Sequence, residues 1–302
     1  MSVDAVKFYA EYHGHPVPLL QKVHDKLRAA GNRMIFLAGD SSLDNKHWLF
    51  PGLKDARALQ DDAVAAPAVP QFAEVLRPPR MAKDVAYWMN KKLEGTKSVC
   101  INAAIEESTV GERDGKLMPQ DEFIRDNLTS EDTVVVSLGG NDIALKPSPG
   151  TIFNIGMLKM VGFESWINSA PQKSAWLRPW GLQHFVTLFK TDIERYLHRV
   201  CAKNKPKRIL VCMIYHPCEL GTGWADTTLS ALGYNSKPSW LQSLIKAVFE
   251  LATKQIKIDG VEVVPIPLFQ VLDPKDGSDY LFRVEPSSTG GMKMAEAFLP
   301  HL

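Results

Sequence analysis

The sequence has almost no charge bias: 35 Lys and Arg stand against 34 Asp and Glu, a formal net charge of +1 over 302 residues. Without a field of one sign there is no global attraction for nucleic acid or for an anionic membrane, so polyanion binding is not expected. Long apolar runs are missing too. No stretch approaches the roughly 20 apolar residues that a membrane-spanning helix requires. The opening MSVDAVKFYAEYHGHP carries acids and histidines, where a secretory signal has an uninterrupted apolar stretch of about 7–15 residues. Neither a membrane span nor secretion is expected. Cysteine is scarce: four lie at positions 100, 201, 212 and 218, two of them in apolar strand-like runs, with neither metal-type pairing nor the density of a disulfide framework. Free thiols in a reducing cytoplasm are the simplest account. Repeats, heptads and low-complexity tracts are absent, which excludes solenoids and coiled coils.

What remains is a chain with 45% hydrophobic residues, enough to bury a full core, read here as one domain over 1–302. Five runs rich in β-branched or large apolar residues predict strands at Met34–Ala38, Ser98–Asn102, Thr133–Leu138, Ile209–Tyr215 and Val261–Ile266. Helical periodicity falls between them at about 17–30, 81–93, 183–203 and 239–257, with a last helix from Gly290. Strands alternating with helices imply βαβ units and a mostly parallel sheet, whose ligands bind beyond the carboxyl ends of the strands. Two segments fit poorly. Residues 46–80, with five prolines between Pro51 and Pro79, read as a long ordered loop. Residues 143–182, with Phe153, Met157, Met160, Phe163, Trp166, Trp176 and Trp180, read equally as a lid or as an extra pair of core helices.

Polar residues directly follow three of the strands. The first ends on Gly39-Asp40-Ser41-Ser42, where Gly39 permits a tight turn that leaves the Ser41 hydroxyl at the carboxyl edge of the sheet. Taken alone, Asp40-Ser41 also reads as a helix cap. The second strand runs into Asn102-Ala103-Ala104-Ile105-Glu106-Glu107-Ser108. The third ends on Gly139-Gly140-Asn141-Asp142, and the Asn141 amide is a candidate donor to a developing oxyanion, worth about 100- to 1000-fold in rate where such donors have been removed. An Asn after a strand is also an ordinary turn former.

These blocks, in this order, resemble the GDSL/SGNH hydrolases, a family of esterases and lipases. The resemblance covers the chain from about Arg33 to its end, apart from 46–80 and 143–182. It implies a flavodoxin-like five-stranded parallel sheet in a three-layer α/β/α sandwich, the SGNH hydrolase fold, with Ser41 after the first, central strand and Asn141 beside it. It also implies hydrolysis of a small-molecule carboxylic ester through an acyl-enzyme on Ser41, without a cofactor. The backbone N–H groups of Ser41 and Glu107 and the Asn141 side chain would surround the oxyanion, with Asp40, Gly139, Asp142 and Asn45 shaping the site. Glu107 takes the place of the family's oxyanion glycine, which keeps a backbone donor but brings an acidic side chain toward a developing negative charge.

The fourth block departs from the pattern. The family usually places Asp-x-x-His-Pro before the last helix, the His as general base and the Asp as its orienting partner. Here Phe282-Arg283-Val284-Glu285-Pro286-Ser287 puts Glu285 at the His position and Phe282 at the Asp position. Together with the Asp44-Asn45 pair after the serine, this resembles a divergent branch with a Glu-Pro-Ser ending. Three readings stay open. Glu285 is itself the base, its pKa raised by an apolar site. Alternatively His216, in Tyr215-His216-Pro217-Cys218, supplies the imidazole from a neighbouring loop, against the commoner structural role of a lone His. In the third, the pocket binds without turnover. Acyl transfer to an alcohol fits the same serine. The remaining histidines, 13, 15, 24, 47, 184, 198 and 301, lack ligand spacing, so no metal is expected.

Overall fold

The computed structural model describes residues 2–50 and 56–302. The five apolar runs form strands β1 (Arg33–Gly39), β2 (Ser98–Asn102), β3 (Thr133–Ser137), β4 (Arg208–Met213) and β5 (Glu262–Pro267). All pair in parallel, in the order β2-β1-β3-β4-β5. Register places Phe36 opposite Ile101 on one side and Val134 on the other. A strand covered on both faces needs no polar alternation, and β3, Thr-Val-Val-Val-Ser, is buried throughout.

The main helices are α1 (Val17–Ala29), α2 (Val85–Lys92), α3 (Pro119–Asn127), α4 (Pro149–Val161), α5 (Ile193–Val200), α6 (Pro238–Leu251) and α7 (Ser288–Phe298). Side chains alternate across the sheet and feed two cores. Phe36, Val134, Val136 and Val211 join Leu20 and Val23 of α1, Phe123 of α3, Leu197 of α5 and Ile245 of α6. Leu37, Val135 and Leu210 join Met89 of α2 and Met294 and Phe298 of α7. The result is the three-layer α/β/α sandwich with a flavodoxin-like sheet that the motifs imply.

The structure corrects several sequence expectations. The central strand is β3, and β1 lies one place from the edge. From β1 the chain passes first to one side and then to the other, so the switch point falls between β1 and β3, where sheets of this order bind ligands. The helix expected from 81 begins at Val85, where the Asp84 side chain accepts the Tyr87 N–H at 2.7 Å. The preceding Arg80–Ala82 instead pairs antiparallel with Ala65–Pro67 in a separate two-stranded sheet, and Leu76–Arg77 pairs with Val3–Asp4. The 46–80 stretch therefore contains short paired strands; residues 51–55, including Pro51, lie outside the described residues. The fourth strand stops at Met213, two residues earlier than expected.

The aromatic insert contains α4 and a second helix, Glu164–Ser169. Leu158, Ile167 and Ala170 are fully buried against the body of the protein, with the second helix packed on α6. Among the described residues, no helix is long and apolar enough to cross a membrane.

Candidate active site

The serine turn depends on Gly39. Its φ of +141° is open to glycine alone at low cost, and a Cβ there would stand 1.9 Å from the Ser137 carbonyl oxygen of β3. The Asp40 N–H then donates to that carbonyl at 3.1 Å. Asp40 Oδ1 accepts the Ser42 N–H at 3.0 Å and the Ser42 hydroxyl at 2.7 Å, which locks the turn. Burial pushes Asp40 up to about 6 against these bonds. Ser41 is left facing a cleft, and neither its N–H nor its hydroxyl has a formed hydrogen bond among the described residues.

Across the switch point, Asn141 opens a short helix, Asn141–Ala144, and lines the same cleft. Its Nδ2 donates one hydrogen to the Ser108 carbonyl at 3.0 Å, which leaves the other uncommitted. Gly139, at φ +110°, lies so close to Phe189 that a Cβ would come within 2.6 Å of the ring. Asp142 accepts the Val110 and Gly111 N–H groups at 2.8 and 3.0 Å, tying this helix to the loop after β2.

Glu107 sits in that loop at φ +60°, a conformation glycine adopts readily, in a turn closed by Ser108 N–H to Ile105 O. It thus takes the backbone form of the glycine it replaces. Its N–H has no acceptor among the described residues and its carboxylate accepts the Tyr12 hydroxyl at 2.8 Å, but the residue does not line the cleft, so the expected oxyanion role of Glu107 is not met there. Beneath both loops the fully buried Arg113 donates to the Thr109 carbonyl at 2.8 Å, to Gly39 O at 3.3 Å and to Asp121 at 2.9 Å.

Glu285 lines the cleft with Ser41 and is 1% exposed. It is paired in Glu285–Pro286 with Tyr280–Leu281, after Phe282 and Arg283 at φ +49° and +71°. Arg283 is held there by bonds from its guanidinium to Cys218 O at 3.1 Å and Asp226 at 2.8 Å. Trp224 Nε1 donates to Glu285 Oε1 at 3.1 Å, and Oε2 has no hydrogen-bond partner. Burial is the main cause that pushes Glu285 up to about 8; the Ser41 hydroxyl and then Trp224 favour its ionised form. The hydroxyl is therefore near the carboxylate without reaching hydrogen-bond geometry.

Glu106, 2% exposed, is raised as well, first by burial and then by the charges of Glu285 and Asp44. Two neighbouring buried carboxyls do not ionise together, so the pair retains a proton at neutral pH. Asp44 accepts the N–H groups of Gly14 and Glu106 at 3.0 and 3.1 Å and pairs with Lys46 at 2.7 Å. Asn45 Nδ2 donates to Pro286 O at 3.0 Å, and its Oδ1 accepts the Val85 N–H at 3.4 Å.

His216 is not brought to Ser41. Tyr215 and Pro217 line the cleft, and the residue between them turns the other way, stacking on Phe269 with ring centroids 5.4 Å apart. Burial pushes its imidazole down to about 4. Turned to the far side of the loop, the ring is out of reach of the serine proton.

The cleft holds about 110 Å³ of free volume and runs from Ser41, Asn141 and Glu285 into an apolar pocket made by Ile143, Phe185, Met213, Leu244, Ile245 and Val248. No residue of 145–182 lines it. Trp224, Arg113 and Glu106 are the site residues that sequence reasoning missed. Trp224 and Arg113 stand in no motif, and only the tripeptide Gly-Trp-Ala in a long polar loop marks Trp224.

Fold and site together define a flavodoxin-like α/β/α protein with a serine and a buried glutamate at its switch point. No protein-family model matches the chain, and neither does any curated protein. Among solved structures it is similar to an extracellular lipase from Streptomyces rimosus, at 11% identity over 89% of this chain and 100% of that one with a TM-score of 0.45. It is also similar to phospholipase A1 from Streptomyces albidoflavus, at 10% identity over 90% and 100% with a TM-score of 0.44. An acetylxylan esterase from Geobacillus stearothermophilus aligns at 14% identity over 89% and 93% with a TM-score of 0.39.

Proposed function

We propose that the chain is a serine ester hydrolase in which Ser41 is the nucleophile and Glu285, oriented by Trp224, is the proton acceptor. The observation that carries this reading is the meeting of Ser41, the Asn141 amide and a buried, half-satisfied Glu285 in one cleft at the β1/β3 switch point. Ser41 Oγ attacks the ester carbonyl carbon and its proton passes to the ionised Glu285. The negative charge that forms on the carbonyl oxygen is held by the Asn141 amide and the free N–H of Ser41. Collapse breaks the ester C–O bond, the departing alkoxide takes the proton from Glu285, and an acyl-serine remains. Water then repeats the sequence and releases the acid. The apolar pocket beyond Ser41 suits an acyl chain.

A carboxylate is a poorer partner for a serine hydroxyl than imidazole, so turnover is slow, and small activated esters such as aryl acetates are the substrates to try. Ser41→Ala is expected to abolish their hydrolysis. Full activity in that variant, or no turnover across a broad ester panel between pH 6 and 10, removes the proposal. The second reading, a pocket that holds an acyl ligand without turnover, is favoured by the unpartnered Oε2 of Glu285, to which no serine hydrogen bond is formed. It predicts saturable binding of a fatty acid that Ser41→Ala leaves unchanged.

A further inference from the structure

The insert presents an unusual surface. Seven of the nine large apolar side chains exposed among the described residues lie between 152 and 180, among them Phe153, Met160, Phe163, Trp176 and Trp180 at 66–80% exposure. Large exposed apolar patches mark interaction sites. The stretch also carries Lys146, Lys159, Lys173 and Arg178 against a single acid, Glu164, in a chain of net charge +1. Glu164 is held by Lys237 at 3.1 Å and Lys146 by Glu112 at 2.8 Å. Lys159 and Arg178 donate only to backbone carbonyls, and Lys159, Lys173 and Arg178 have no acidic partner among the described residues.

We infer that this face docks on the surface of an anionic lipid bilayer. Indole rings combine an apolar body with a polar edge and settle at the headgroup boundary, and lysine and arginine beside them meet anionic lipid. A contact with a second copy is disfavoured by symmetry. A two-fold interface through this face would bring together both copies' Lys159, Lys173 and Arg178, with Glu164 the single acid that each insert supplies and already paired with Lys237. The insert leaves the chain after Ile143 and Ala144 and rejoins it before Phe185, all three in the wall of the cleft. Docking is independent of whether Ser41 turns over an ester.

Sedimentation of the full chain with vesicles tests this, using phosphatidylcholine alone and equal parts phosphatidylcholine and phosphatidylglycerol. Binding to the mixed vesicles is expected to be about tenfold or more the stronger, with a blue shift of tryptophan emission. Replacing Trp176 and Trp180 together by Ser should weaken binding about tenfold. Charge reversal at Lys159, Lys173 and Arg178 should abolish the preference for the mixed vesicles. All these side chains are at least partly exposed, so thermal midpoints should stay at the wild-type value. Ser41→Ala should bind like wild type, which separates failure of docking from failure of the esterase reading. Equal binding to both vesicle types, no binding to either, or a concentration-dependent dimer that the tryptophan substitutions dissociate would each overturn the inference.

Discussion

Trp224 donates its indole N–H to Glu285 across 61 residues of sequence, at 3.1 Å, and it is the single hydrogen bond that this buried carboxylate receives from the described residues. In a serine triad the base is oriented by an acid. Here the orienting group is a neutral donor, and it favours the ionised form of the base.

Trp224→Phe keeps the ring bulk and removes that donor. A hydrogen bond to a charged group is worth about 1.5–3 kcal/mol, so the pH at which activity rises should move up by about one to two units and the rate at pH 7 should fall about 10- to 100-fold. An unchanged pH–rate profile of kcat/KM shows that the indole serves only packing.

The pH dependence of Glu285 has opposite signs for activity and stability. Its carboxyl is pushed up to about 8, so kcat/KM should rise with pH through that region as the base ionises. Folding favours the protonated form. Its contribution to stability is therefore complete below the ordinary carboxylate value and is lost as pH rises through about 8. Glu285→Gln should cost about 100- to 10,000-fold in kcat, flatten the profile, and make the thermal midpoint less sensitive to pH between 5 and 9. A variant as active as wild type assigns the proton to another group.

Asn141 and Asn45 should separate chemistry from assembly. Asn141→Ala removes a free amide hydrogen from the cleft, with an expected loss of about 100- to 1000-fold in kcat and a smaller change in KM. Asn45→Ala instead strips partners from the buried Pro286 carbonyl and Val85 N–H. It should lower stability by about 1–3 kcal/mol in denaturant unfolding. Equal effects of the two substitutions on kcat and on stability would contradict these roles.

The apolar pocket sets an expectation for chain length. Each methylene buried contributes about 0.8 kcal/mol, so kcat/KM for aryl esters should climb by up to about fourfold per added carbon until the pocket is full. A series from acetate to octanoate reads this directly, and a monotonic decline from acetate would place the acyl chain outside the pocket.

Much of the architecture was legible because burial on both faces leaves a run such as Thr-Val-Val-Val-Ser no other role. The turn at Gly39 was legible for a local reason, since a glycine before Asp-Ser at a strand end has few alternatives. Helix α3 was not. Its sequence, Pro-Gln-Asp-Glu-Phe-Ile-Arg-Asp-Asn, has only Phe123 and Ile124 as apolar anchors, too few for a periodic signal. The second carboxyl, Glu106, stood in plain view beside Glu107, but its meeting with Glu285 is a tertiary event with no local mark. His216 misled for a related reason. A residue after a strand lies at the right edge of the sheet, yet which side of the loop it faces depends on where pairing ends, here at Met213 rather than Tyr215.

A base that titrates near 8 changes what a rate at neutrality means. At neutrality the protonated carboxyl prevails, and the molecules that carry it are idle. Measured turnover is then a population average, with the competent fraction turning over faster than the bulk figure. Any ligand that places a cation or a hydrogen-bond donor against the open Oε2 of Glu285 draws idle molecules into the competent fraction. Its effect is largest below the pH at which the carboxyl ionises, and it vanishes in strongly alkaline solution, where every molecule is already recruited.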